Sequence, residues 1–399
     1  MKRAVIIGGG YTGIYALREL IKNDDIKITL IDKHTYHNLQ PEVYDLIANK
    51  ANLADVTIDL TTLCHGFEHS YLEFKNLRVT NIDFDLQKIS TSENETVEYD
   101  YLILAAGTRT FFPKNLEGLS NTDDIKKLHR ALFFKQSFEK QLFNKIEDEA
   151  KKCDKTHIAV VGAGLSGVEI AAEMACYAKK FFKRGSFACQ NLKISLISSG
   201  NSILPGFAPN MIKMSHDRLK SLDINIITNT KMESCDKEYL YLTNGTKIRY
   251  SFIIFSGGIE ASNITSKLNI PKNKKNQIIV DEYLKIENYD NVFACGDVAQ
   301  IKNSSGEIMP ANVTVARASG VIAGKNILKS IENKDLLKCN PKLEGTLIAL
   351  GGRYAVCDLY GIIQVKGFIG YLIKQYVFFR YKLPLLKYIK NGYSKLMNN

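Results

Sequence analysis

The chain has eight cysteines, but no two form a C-x-x-C pair and none has the spacing of a metal site. Scattered thiols in 399 residues read as reduced, intracellular side chains rather than a disulfide framework. The seven histidines form no metal-like cluster. No Ser/His/Asp or paired-carboxylate arrangement stands out either, so hydrolytic and metal chemistry are not expected. Long apolar runs are also missing: no window approaches the ~18 uncharged residues of a membrane-spanning helix. The apolar start at Ala4–Ile7 is cut at once by Gly8-Gly9-Gly10, which argues against a signal peptide. Composition excludes extensive disorder, with 45% hydrophobic and 24% charged residues, and the length suits two or three domains. A net charge of +11 points to an anionic partner: nucleic acid, lipid headgroups or phosphate-bearing cofactors.

Against these absences stands one dense signal at the N-terminus. Arg3–Ile7 reads as a buried parallel strand, Gly8-Gly9-Gly10-Tyr11-Thr12-Gly13 as a tight turn, Ile14–Ile21 as a helix and Lys27–Ile31 as a second strand ending at Asp32 and Lys33. Strand, G-x-G-x-x-G, helix, strand and acid in one short unit are the dinucleotide-binding fingerprint. Gly8 permits the turn, Gly10 admits a pyrophosphate, and Gly13 lets helix and strand pack. The helix N-terminus supplies free N–H groups to phosphate. Asp32 is placed to accept from a ribose hydroxyl.

The pattern recurs. Thr156–Val161 is a strand, Gly162-Ala163-Gly164-Leu165-Ser166-Gly167 a second fingerprint, Val168–Phe182 its helix and Leu192–Ile197 its next strand. A repeat at this spacing means two nucleotide-binding folds. Between them lie strands at Tyr71–Phe74, Leu77–Ile82, Lys88–Thr91 and Tyr101–Leu104, the last ending in the small-residue corner Ala105-Ala106-Gly107-Thr108. Thr110–Gly118 reads as a crossover and 123–153 as a charged helix. Further strands fall at Asn225–Thr228, Tyr239–Leu242, Phe252–Phe255 (ending in Ser256-Gly257-Gly258), Ile278–Val280 and Asn291–Ala294, the last running into Cys295-Gly296-Asp297. Asp297 is placed to bind a ribityl chain or to cap a helix opening at 312–323; alone, the cap is favoured.

The tail lacks acid. From Leu359 to Asn399 there is no Asp or Glu, while Lys366, Lys374, Arg380, Lys382, Lys387, Lys390 and Lys395 alternate with nine aromatics. Helices lying in a membrane interface have this composition. A helix packed on its own domain or on a second subunit has it too, as do nucleic-acid-binding stretches. The membrane surface is the favoured reading, with no nucleic-acid partner.

Two dinucleotide folds imply a relay: a nicotinamide nucleotide in the second donates a hydride and a flavin in the first accepts it. The order of Gly8–Gly13, Ala105–Thr108, Gly162–Gly167, Gly257-Gly258 and Cys295-Gly296-Asp297 resembles the two-dinucleotide-binding flavoproteins. Residues 33–63 hold no cysteine, so the dithiol relay of glutathione-reductase-like members is not expected. Cys153 and Cys357 are loosely placed for a sulfide:quinone oxidoreductase, without a matching motif. Over the whole chain the resemblance is to type II NADH dehydrogenases, single-chain FAD enzymes that pass electrons from NADH to quinone without pumping protons. It rests on His37–Pro41, Val160–Glu169, Ile203–Phe207, Gly345–Gly352, Ala355-Val356 and Gly361–Leu372.

The resemblance implies an α/β fold of two Rossmann-like domains, the second inserted in the first, plus a C-terminal amphipathic membrane-binding segment. The expected division is 1–115 with 282–345 for FAD, 116–281 for NAD(P)H and 346–399 for the membrane surface. It implies non-covalent FAD, NADH or NADPH as donor, quinone as acceptor and a homodimer on the cytoplasmic face of the inner membrane. Glu169, Gln40 and Thr314 fall at the nicotinamide and quinone sites, although a helix-dipole role would also account for Glu169. His37 reads as structural. Two positions depart from the family: Ser198, with Ser199 after it, stands where a ribose-binding acid is usual, which admits NADPH, and Thr314 stands where a glutamine is usual. A different donor, or a non-turnover flavin sensor tethered to the membrane, is the alternative.

Overall fold

The computed structural model describes residues 1–147, 156–184 and 192–397. Cys153 and Cys189 lie outside the described residues, as does the end of the helix expected over 123–153. Its described part is Leu128–Glu147.

β-branched apolar runs build two parallel sheets, each the floor of one nucleotide fold. In the first, the strands at Leu72–Asn76, Ile26–Asp32, Lys2–Ile7, Tyr101–Leu104 and Tyr289–Ala294 lie side by side in that order. In the second the order is Ile224–Ile227, Leu192–Ile197, Thr156–Val161 and Phe252–Phe255. The order reverses beside the first strand of each sheet, and the crevice at the carboxyl end of that point is where doubly wound sheets take nucleotides. The repeat extends beyond the fingerprints. Each fold carries a three-stranded antiparallel meander, Val79–Asp83/Lys88–Thr91/Thr96–Glu98 in the first and Met232–Cys235/Tyr239–Leu242/Lys247–Arg249 in the second.

The chain passes between folds along a two-stranded antiparallel ribbon, Thr108–Thr110 against Ile259–Ala261, closed by an Arg109–Glu260 ion pair of 2.9 Å. Leu268, Ile270 and Ile278 pack with Ile6, Leu30 and Phe293 in the core of the first fold. The return crossing is therefore at 259–261, earlier than the 281 expected from sequence.

The tail differs from a simple run of helices. It begins with the last strand of a third meander, Gly345–Ala349, Ala355–Leu359 and Ile363–Gly367. One helix then runs from Phe368 to Met397, with Pro384 inside it. This helix lies against Leu60–Gly66 at a glycine crossing. A Cβ on Gly66 would fall 1.7 Å from the carbonyl oxygen of Tyr388, and one on Gly392 would fall 1.9 Å from that of Thr62. Only residues without side chains allow that approach. No described helix is long and apolar enough to cross a membrane.

Candidate active site

The two glycine turns have the same construction. A Cβ on Gly8 would lie 2.3 Å from the Ala105 carbonyl oxygen, and one on Gly162 would lie 2.7 Å from that of Ser256. Both residues hold a φ near +110°, at +112° and +109°. A Cβ on Gly13 or Gly167 would fall 1.8 Å from the carbonyl oxygen of Gly8 or Gly162. The middle glycines differ: a Cβ on Gly10 or Gly164 would meet nothing within 4 Å. The outer glycines are thus required by packing, while the middle ones front open space at a helix N-terminus. Two cradles of this kind fit two pyrophosphates.

Around the first cradle, Asp32 Oδ2 accepts from the Gly9 N–H at 2.6 Å and Oδ1 from the His34 N–H at 2.8 Å. The acid therefore also braces the glycine turn. Lys33 beside it is exposed. Thr12 is buried, and a Cβ on Gly296 would lie 2.1 Å from its Oγ1, so the Gly296-Asp297 turn packs on the fingerprint helix. Thr108 Oγ1 donates to Asp297 Oδ2 at 3.4 Å, and burial raises the Asp297 carboxyl while Lys126 pulls it back. Asp297 does not cap the helix Val313–Ile331; Asn312 does, accepting from the Val315 N–H at 2.9 Å. Ala106, Gly107 and Thr108 are half-buried, and Gly107 fronts open space with φ +66°.

At the second cradle, Leu165 and Ser166 open the helix Leu165–Arg184. The Ser198 hydroxyl is buried and donates to the Ser202 carbonyl at 2.7 Å, so it is spent within its own loop, while Ser199 is exposed. Gly258 is exposed, with φ +138°, on the return to the ribbon.

Glu169 lies beyond the first helical turn, which removes the helix-dipole account of it. It is buried, its Oε1 accepts from the Ala349 N–H at 2.8 Å, and burial pushes its carboxyl up to about 8. Around it is a cluster that sequence reasoning missed. Lys374 of the C-terminal helix donates to Asp45 Oδ2 at 3.0 Å, and Lys50 lies 2.5 Å from Asp45 Oδ1 and 2.8 Å from Glu173 Oε1. Burial alone would raise Asp45, but Lys374 and Lys50 hold its carboxyl below the usual range. Tyr44 donates to Ser166 Oγ at 2.8 Å, which ties the helix Val43–Ile47 after Gln40 to the second fingerprint. Gln40 Oε1 accepts from Asn38 at 3.0 Å. Thr314 is half-buried in the first turn of its helix, and no hydrogen bond among the described residues joins it to Gln40 or Glu169. The signal for the cluster was two acids, Glu169 and Glu173, one turn apart on an otherwise apolar helix face.

His37 is buried and nearly neutral in character: burial lowers it to about 3, and its Nε2 meets the Tyr381 hydroxyl at 2.9 Å. Tyr11 of the first fingerprint stands edge-on to it, with ring centroids 4.6 Å apart. Cys357 is fully buried, donates to the Gly370 carbonyl at 3.2 Å and is pushed up to about 11 by burial. It is no nucleophile.

Paired cradles joined by a ribbon, with a buried acid between the second cradle and the C-terminal unit, define a two-dinucleotide-fold oxidoreductase. Residues 2–320 match the pyridine nucleotide-disulphide oxidoreductase family, and the chain belongs to it. A type II NADH:quinone oxidoreductase of Haemophilus influenzae is 27% identical, over 90% of this chain and 87% of that protein. The solved NDH2 of Plasmodium falciparum in complex with NADH superposes with a TM-score of 0.85 at 20% identity, covering 99% of this chain and 97% of that one. The sulfide:quinone oxidoreductase of Aquifex aeolicus follows at 0.78, also at 20% identity, covering 98% and 92%.

Proposed function

We propose that the protein is an FAD-dependent NAD(P)H:quinone oxidoreductase of the type II NADH dehydrogenase kind, acting at a membrane surface without pumping protons. The observation that carries this is the pair of matching cradles, each with an open middle glycine, linked by one short ribbon. FAD, once bound, supplies a ring that takes a hydride from the nicotinamide and hands electrons on. In this reading Gly8, Gly10, Tyr11, Thr12, Gly13 and Asp32 hold the FAD pyrophosphate and ribose, and Thr108 with Asp297 the ribityl chain. Gly162, Gly164 and Gly167 hold the nicotinamide nucleotide. Glu169 keeps a proton at neutral pH because it is buried, and delivers it to the acceptor. Asp45, Lys50, Lys374 and Glu173 fix the surrounding charge.

The relative from Haemophilus influenzae supports quinone as acceptor. Burial of Cys357 counts against a sulfide donor. Membrane contact is assigned to the outer face of the C-terminal helix, where Phe368, Ile369, Leu372, Tyr376, Phe379, Leu383 and Leu386 are each 50% exposed or more. Apolar area of this kind beside lysines suits an interface with anionic lipid. Two of the tail's cations are not available for lipid, because Lys374 and Lys382 turn inward to Asp45 and Glu42. The side of the membrane that holds NAD(P)H is the cytoplasmic one. Steady-state assay with a short-chain quinone tests the function: oxidation of NADH or NADPH that depends on quinone supports it, and turnover with sulfide alone overturns it.

A further inference from the structure

Lys126 stands where an ordinary surface lysine would not. It lies between the outgoing ribbon strand and the helix that starts at Leu128, and its side chain is partly buried. Its ammonium donates to the neutral hydroxyl of Thr108 at 2.6 Å. Among the described residues it has no carboxylate within ion-pair distance, whereas its neighbour Lys127 reaches Asp124 at 3.8 Å. Burial works against its charge, with Asp297 and Asp124 working the other way. An ammonium has three N–H groups, and Thr108 takes one.

The surroundings say what the others are for. Thr108 follows Gly107, which fronts open space, and it also bonds Asp297, whose turn packs on Thr12 of the first cradle. Lys126, Thr108 and Asp297 thus lie between the first cradle and the interdomain ribbon, on the path a dinucleotide takes from its pyrophosphate to its reactive ring. Asp297 alone would put a carboxylate beside that path and disfavour any gain of negative charge there. A cation on the same hydroxyl offsets that charge.

We propose that Lys126 is an electrostatic positioning residue of the flavin site, held by Thr108 so that its ammonium stabilises the negative charge the flavin ring gains on reduction. This rests on the reading that FAD occupies the first fold. Charge placed near the ring is one of the few means by which a protein tunes a flavin.

The test uses the full-length holoprotein and two readouts other than turnover: the flavin midpoint potential, and the affinity for sulfite. Sulfite adds through its sulfur lone pair to flavin N5 and leaves negative charge on the ring. Lys126→Met should shift the midpoint potential negative and weaken sulfite binding about tenfold or more, while Lys126→Arg stays close to wild type. Thr108→Val, which frees the ammonium from its anchor, should shift both in the same direction by less. Wild-type potential and sulfite affinity in Lys126→Met would overturn the proposal. Should that variant lose its flavin, Thr108→Val decides, and unchanged values there overturn it equally. A wild-type protein that neither carries nor takes up FAD overturns instead the FAD reading on which the proposal stands.

Discussion

The backbone N–H of Ala349 donates to Glu169 Oε1 at 2.8 Å, so the second fingerprint helix and the C-terminal meander meet at a single buried carboxyl. That carboxyl is buried, and burial raises it from 4.5 to about 8. Its folded value lies above its unfolded one. Its contribution to stability is therefore fully present below about pH 4.5 and is lost as pH rises through about 8.

The same proton sets the first prediction. If Glu169 delivers a proton as proposed, quinone reduction should fall as pH rises past about 8, where the carboxyl loses it. Glu169→Gln keeps an acceptor for Ala349 but has no titrating proton. It should lower kcat about 10²-fold and flatten that alkaline limb, as read from a kcat–pH profile. An alkaline limb unchanged in the variant would remove Glu169 from proton delivery.

The second concerns the ion network beside it. Lys374 is buried and lies 3.0 Å from Asp45. Lys374→Met leaves Asp45 and Glu173 sharing Lys50, and should cost ~3 kcal/mol, seen as a lower Tm. Adding Asp45→Asn to it should recover part of that loss, since one buried charge then leaves with the other. A double variant no better than the single would mean the two side chains act independently.

The third separates the glycines by role. Gly13→Ala places a Cβ 1.8 Å from a backbone oxygen and should yield little folded protein. A Cβ on Gly10 meets nothing within 4 Å, so Gly10→Val should fold with a near-normal Tm, yet retain little or no FAD. Gly164→Val should keep FAD and lose NAD(P)H binding. Flavin absorbance and a thermal melt distinguish the three. Full FAD content in Gly10→Val would place the pyrophosphate elsewhere.

Much of this was legible in the sequence. Both fingerprints are local, since strand, turn and helix follow one another and each outer glycine has a single steric reason. Asp297 and Thr108 were visible as strand ends. What was not legible depends on contacts across long separations. Asp45 meets Lys374, and Lys126 meets Thr108, only because separate elements converge. Tail composition likewise could not show that Lys374 and Lys382 point inward, because helical spacing gives a face but not its partner. The ribbon's return at 259–261 is set by a pairing with 108–110 that no local pattern announces.

The fourth follows from how the tail is docked. Deleting the C-terminal helix would strip Tyr381 from His37 and Lys382 from Glu42 as well as any lipid contact, so deletion is a poor probe of the membrane. Exposed positions on the helix serve better. Leu372→Ser, Phe379→Ser and Leu383→Ser together should release the protein from anionic vesicles in a flotation assay. FAD content and Tm should be retained, because these side chains are at least half exposed. Undiminished flotation would show that another surface binds lipid.

The central claim is that one chain carries out both halves of a flavin relay, and anaerobic stopped-flow tests it most directly. Mixing the oxidised holoprotein with one equivalent of NADH or NADPH should bleach the flavin absorbance. Mixing the bleached protein with one equivalent of soluble quinone should restore it in full. Flavin that neither nicotinamide nucleotide bleaches, or bleached flavin that quinone leaves unchanged, would contradict the account.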